Sequence, residues 1–186
     1  MINRAKGILA ALAGLVGVGG AHHHATLKHV WKVECRDAQG NLKWVDKYEN
    51  LVTTAGFNKY LDATLKTGLA SPAWYVGLVT GPSETDYNAA DTMASHAGWA
   101  EDTTYSNANR PAFTPGTISA GSVDNSASKA VFNINGTATI SGCFLADDNT
   151  KGGATGTLLG VGAFTGGDRS VVNGDTLNVT VTCSLS

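Results

Sequence analysis

The stretch "DTLNVTVTCSL" at residues 175–185 limits this chain more than any other. Leu177, Val179, Val181, Cys183 and Leu185 alternate there with Asn178, Thr180, Thr182 and Ser184. Wound as a helix, those apolar side chains would scatter around the axis. In a strand, successive side chains point to opposite faces, so a period of two gives one dry face and one wet one. The same pattern opens the body of the chain in "LKHVWKVECR", with Leu27, His29, Trp31, Val33 and Cys35 on one side. Turn chemistry in "DAQGN" follows, and "LKWVDKYE" returns with Leu42, Trp44 and Tyr48 on a common face, which predicts a hairpin. Strands that are dry on one face need a second layer against that face.

Further strand-like runs fit the same requirement: "AWYVGLV", "PAFTPGTIS", "KAVFNI", "ATISGCFLA" and "TLLGVGAF". Glycine-bearing turns such as "TGGD" and "NGD" separate the last of them. Only "TTAGFNKYLDATLKTG" changes period. Phe57, Tyr60, Leu61, Thr64 and Leu65 recur there at helical spacing, with Thr53 or Thr54 placed to cap the start and Gly68 to stop it. Its other face is small and polar and is expected outward, the helix covering one end or face of a sheet. Some eight strands and one short helix predict a mainly β body, an antiparallel β-sandwich or jelly roll. The 186 residues suit one domain, read as residues 27–186, with an arm at residues 1–26.

The arm begins like a signal peptide, with Arg4 and Lys6 ahead of an apolar run at residues 8–18. That run is well short of the roughly 20 residues that span a bilayer as a helix. It is expected to stay on the chain and to pack on a partner surface, either its own domain or another subunit, because a short glycine-rich segment has little to hold it alone in water; an interfacial membrane helix is the competing reading, but with two basic residues and no distinct polar face no membrane is expected as a partner. His22, His23 and His24 follow, and adjacent residues on an extended chain point apart, so they read as linker rather than a preformed metal site.

Few residues suggest chemistry. The net charge of -2 leaves no excess of Lys and Arg to neutralise phosphates, so nucleic acid is not an expected partner. Cys35, Cys143 and Cys183 lack metal-ligand spacing and read as buried thiols, with a Cys143–Cys183 disulfide left open. Asp86, Asn88 and Asp91, like Asp147, Asp148 and Asn149, do not match an EF-hand and read as turn formers. His96 has Ser95, Asp91 and Glu101 nearby in sequence, but proximity within a loop does not supply catalytic geometry. No catalytic residue, cofactor or metal is expected. Met93, Trp99 and Tyr105 are side chains of the kind that anchor interfaces, and Met93 and Trp99 serve equally to pin their loop onto its own core.

The segments "NLVTTAGFNKYLDATL", "DTMASHAGWAEDTTYS", "RPAF", "SVDNSASKAVFNINGTATISGCFLADD" and "VVNGDTLNVTVT" together resemble structural proteins of tailed-bacteriophage virions, most of all head decoration (cement) proteins. The resemblance runs from about Trp31 to the end of the sequence and does not include the arm. It implies a non-enzymatic β-rich protein on the capsid surface. Such a protein self-associates about a symmetry axis, a trimer ahead of a dimer, and binds the outer face of the major capsid protein lattice. Leu9, Leu12 and Leu15 in the arm, Met93, His96 and Trp99 in the loop, and Tyr105, Arg110 and Phe113 after it are then the expected contact residues. A tail, collar or fibre-attachment component is the neighbouring alternative. A carbohydrate-binding module, with Trp74, Tyr75 and Trp99 as its aromatics and Asp86 as its carboxylate, is the alternative of another class.

Overall fold

The computed structural model describes residues 26–66, 72–80 and 87–185. The arm with Leu9, Leu12 and Leu15, the three histidines, Gly68 and Asp86 lie outside the described residues. The alternating segments form what their period demands. β1 (Leu27–Arg36) pairs antiparallel with β12 (Thr176–Leu185) along its whole length, Trp31 opposite Val181 and Cys35 opposite Leu177. β2 (Leu42–Glu49) closes the hairpin. In its turn, Asp37 Oδ1 accepts from the backbone N–H groups of Gln39 and Asn41, and Gly40 takes the left-handed conformation that this tight reversal needs.

The other edge of β12 is shared by two short strands, β7 (Ser122–Asp124) and β8 (Ala130–Asn133). Between them the buried side chain of Asn125 takes the place of a strand. Its Nδ2 donates to the Val179 carbonyl at 3.2 Å, and its Oδ1 accepts from Val181 N–H at 2.7 Å. An unpaired N–H and C=O buried at that point would each cost free energy, and one carboxamide satisfies both.

The second sheet runs β3 (Leu51–Val52), β10 (Leu158–Ala163), β9 (Ala138–Ala146), β4 (Trp74–Thr80), β5 (Ala100–Asp102). β11 (Arg169–Val171) adds to β9 and β6 (Ala112–Phe113) to β4. The protein is thus a mainly β, antiparallel two-sheet structure with one helix, as the alternation requires. β3, β5, β7 and β11 were not anticipated. Each is three residues or fewer, too short to show a period. The run from Pro111 makes only a two-residue strand.

The main core lies between the sheets and includes Trp31, Val33, Phe132, Ile140, Leu145, Leu177 and Val181. Aromatic contacts extend it, with Trp31 stacked on Tyr48 and the Tyr48 ring edge-on to Phe164. Leu42 does not join Trp44 and Tyr48 in it, because a register shift at Cys35/Arg36 breaks the alternation before Leu42, which is 53% exposed.

The helix α1 (Thr54–Leu65) starts where predicted. Thr53 caps it by accepting from Gly56 N–H at 3.0 Å, and its hydroxyl donates to the Leu158 carbonyl of β10. Its orientation corrects the sequence reading. Gly56 lies so close to the Leu159 carbonyl that a Cβ would collide with it, and this approach seats the helix through its small residues. Of the large spaced residues only Tyr60 packs on the core, while Phe57, Leu61 and Leu65 face outward.

Candidate interaction surface

The loop after β4 folds back on the outer face of the second sheet and forms a second core. Met93 and Trp99, 2% and 7% exposed, pack with Phe144, Ala146, Leu158 and Val161. This explains why β9 is buried on both faces from Ile140 onward. The loop is fastened by polar bonds: Trp99 Nε1–H donates to Asp91 Oδ2 at 3.0 Å, which also accepts from Asn88 N–H. His96 stacks on the Trp99 ring at 3.8 Å, and its Nδ1–H donates to the Trp99 carbonyl. Opposite Gly77, whose missing side chain leaves the room, lies the ring of Phe144.

Of the contact residues expected from sequence, those described belong mostly to the interior of this one chain. Met93 and Trp99 pin the loop, while Tyr105 and Phe113 enter the main core. Arg110 is buried at a node that ties two loops together. Its Nε and Nη2 donate to the two carboxylate oxygens of Glu101 at 3.0 and 2.6 Å. Its remaining N–H groups reach the carbonyls of Asp148 and Gly153. Lys151 Nζ donates to the Tyr105 and Asn107 carbonyls and lies over the Tyr105 ring. Only His96 keeps part of its surface open. Met93 and Trp99 thus pin their loop onto its own core, one of the two roles expected of them, and the size and hydrogen-bonding capacity of Tyr105, Arg110 and Phe113 are spent inside this chain.

The candidate chemical groups are equally occupied. All three cysteines are free and buried, so the Cys143–Cys183 pairing is not formed. Burial pushes the Cys143 and Cys183 thiols up to about 12, which removes the thiolate that reactivity requires. Asp147 accepts from Thr157 N–H. Asp148 accepts from Thr155 and Thr150, and these bonds hold its carboxyl down to about 2. Both are turn formers, as read from the sequence. Among the described residues no group of His, Cys, Asp and Glu is arranged to hold a metal ion, and no helix is long and apolar enough to cross a membrane.

The surface that stands out lies at the other end of the first sheet, and the sequence reading missed it. Leu27 at the start of β1, Leu185 at the end of β12, Tyr60 and Leu61 of α1, and Ile118 before β7 line two adjoining apolar grooves of about 210 and 220 Å³. Leu185, Leu61, Ile118 and Phe57 are 58%, 55%, 74% and 45% exposed. Among the described residues, no charged side chain lines either groove. Isolated exposed leucines are ordinary, whereas here the exposed apolar side chains adjoin one another, which makes this the candidate interaction surface. Beneath it, His29 Nε2 lies 3.4 Å from the Tyr60 hydroxyl, and burial pushes its imidazole down to about 4. The i, i+4, i+8 spacing of Phe57, Leu61 and Leu65 was the available signal, and assigning that face to the interior concealed its meaning. Compared with known protein families and with curated proteins, the chain finds no match.

Proposed function

We propose that this protein is a non-enzymatic structural component of a tailed-bacteriophage virion, a decoration protein that binds the outer face of the major capsid lattice and stabilises the head as a homo-oligomer. The observation that supports it best is the exposed groove around Leu27, Tyr60, Ile118 and Leu185, whose described lining carries no charged side chain, on a mainly β, two-sheet body. A surface of that kind contributes free energy by removing apolar area from water, roughly 25 cal/mol per Å². Bound across a seam between shell subunits, it stabilises the assembled state by mass action, because separating the subunits also releases the ligand.

The resemblance of the segments around α1, the 91–106 loop and the 122–148 region supports the virion assignment, and the groove replaces the loop as the surface for contact. Quantifying the protein against the major capsid protein in purified particles tests the reading. A copy number in fixed stoichiometry with the capsid lattice is expected, while a handful of copies per particle overturns the decoration role and favours a tail or collar position. The carbohydrate-binding alternative is weakened by Trp99, whose ring is buried and whose N–H is bonded to Asp91.

A further inference from the structure

We infer that Asn135 is a site of spontaneous deamidation, where the chain converts its own carboxamide to aspartate and isoaspartate. This does not rest on the virion reading. In an Asn-Gly step the following backbone nitrogen can approach the carboxamide carbon, because glycine has no Cβ to stand in the way. The nitrogen of Gly136 bonds to Cγ of Asn135, its proton passes to the departing nitrogen, and ammonia leaves as a cyclic succinimide closes. Water then opens the ring at one of its two carbonyls. Attack at Cγ breaks the new C–N bond and gives aspartate, while attack at the main-chain carbonyl breaks the original peptide bond and gives isoaspartate. One water is consumed for each ammonia released, and nothing is oxidised or reduced.

The sequence holds two Asn-Gly steps, 135–136 and 173–174, and the fold treats them differently. At the second, Asp175 N–H donates to the Val172 carbonyl at 3.0 Å and closes a turn around the pair, while Gly174 N–H, the attacking group, donates to the Ile134 carbonyl at 3.0 Å. Asp175 Oδ2 also accepts from Val172 N–H and from Lys43, which holds the turn in place. Gly174 must therefore give up a hydrogen bond before it can attack. At the first, residues 135–137 link the end of β8 to β9, and Asn135 N–H donates to the Thr104 carbonyl at 3.3 Å. Asn135 is exposed, and among the described residues neither its carboxamide nor the Gly136 N–H makes a hydrogen bond. Nucleophile and electrophile are adjacent and unengaged. Asn133 pairs with Thr176 at the start of β12, whereas the apolar grooves lie at its Leu185 end, so the negative charge gained at Asn135 leaves the proposed contact surface as it is.

Peptide mass mapping of the full chain, aged at mildly alkaline pH in buffer and in concentrated urea, tests this. Cleavage after Lys129, Lys151 and Arg169 places the two steps in separate peptides, residues 130–151 and 170–186, and fragmentation locates the converted residue within each. In buffer, Asn135 is expected to convert about tenfold faster than Asn173, the factor that one hydrogen bond to be broken before attack imposes. In urea the two rates are expected to converge, since neither glycine N–H is then held. Asn135→Gln, at an exposed position, is expected to remove the main acidic species that isoelectric focusing of the aged protein resolves. Equal rates in buffer, a faster rate at Asn173, or conversion of Asn135 in urea alone overturns the proposal, as does an acidic species that persists in Asn135→Gln at its original rate.

Discussion

Two apolar surfaces of this sandwich lie outside its main core, and the described residues treat them in opposite ways. The outer face of the second sheet is sealed by its own loop: Met93 and Trp99 lie over Phe144, and Asp91 bonds the indole that covers it. The end of the first sheet beside α1 is left open, with Leu61, Leu65 and Ile118 between 55% and 77% exposed. The residue types are similar. What differs is the polar fastening, since the loop side has buried hydrogen bonds that set one geometry, whereas the groove side has mostly apolar walls and, among the described residues, no loop bonded across it. A surface closed by its own loop needs directional bonds to specify that closure, and the open one carries none of that kind among the described residues.

The contrast can be broken most forcefully at the node below the loop. Arg110→Ala leaves Glu101 without its bidentate partner in a buried position, and a loss of about 3–5 kcal/mol in urea unfolding is expected. A loss under about 1 kcal/mol would show that the node is not what holds the 101–111 and 147–156 loops. Next in size is a pH effect beneath the groove. The unfolded imidazole of His29 protonates near 6.5, and in the fold burial holds it to about 4. Between those values the unfolded state binds more protons, so stability falls as the pH is lowered from 6.5 to 4, by about 3 kcal/mol in total. Glu34 and Asp148, held down to about 2, contribute stability that is lost only as the pH falls further through the carboxylate range. Unfolding curves at several pH values check this, and His29→Gln is expected to flatten the slope between pH 6.5 and 4.

Trp99→Phe keeps most of the ring and deletes the N–H to Asp91, and a loss of about 1–3 kcal/mol is expected from the same unfolding measurement. On the open side, Leu65→Ser is expected to change stability by no more than about 0.5 kcal/mol, since Leu65 is 77% exposed. A large loss there would mean that α1 is covered in solution and that the two surfaces are alike.

Legibility in the sequence followed the length of the periodic signal. β1, β2, β9 and β12 alternate or stay apolar over eight to ten residues, and their bounds could be read almost residue for residue. β5 and β11, three residues each, carry no period and are made by their neighbours' unpaired edges. Asp46 illustrates a second limit. Its position on the inner face of β2 reads as a lapse in pattern, yet its carboxylate gathers the N–H groups of Thr165 and Gly166 and a donor from Arg169, all more than a hundred residues away. The candidate surface was half legible. Helical spacing revealed the row of Phe57, Leu61 and Leu65, but which side it faces depended on Gly56 meeting Leu159, a contact that no local pattern announces.

Asn125 carries a chemical consequence. Because one carboxamide stands in for a stretch of strand, the integrity of β12's edge depends on having a donor and an acceptor side by side on a single side chain. Conversion to aspartate would exchange the donor facing the Val179 carbonyl for an oxygen, setting acceptor against acceptor in a dry interior.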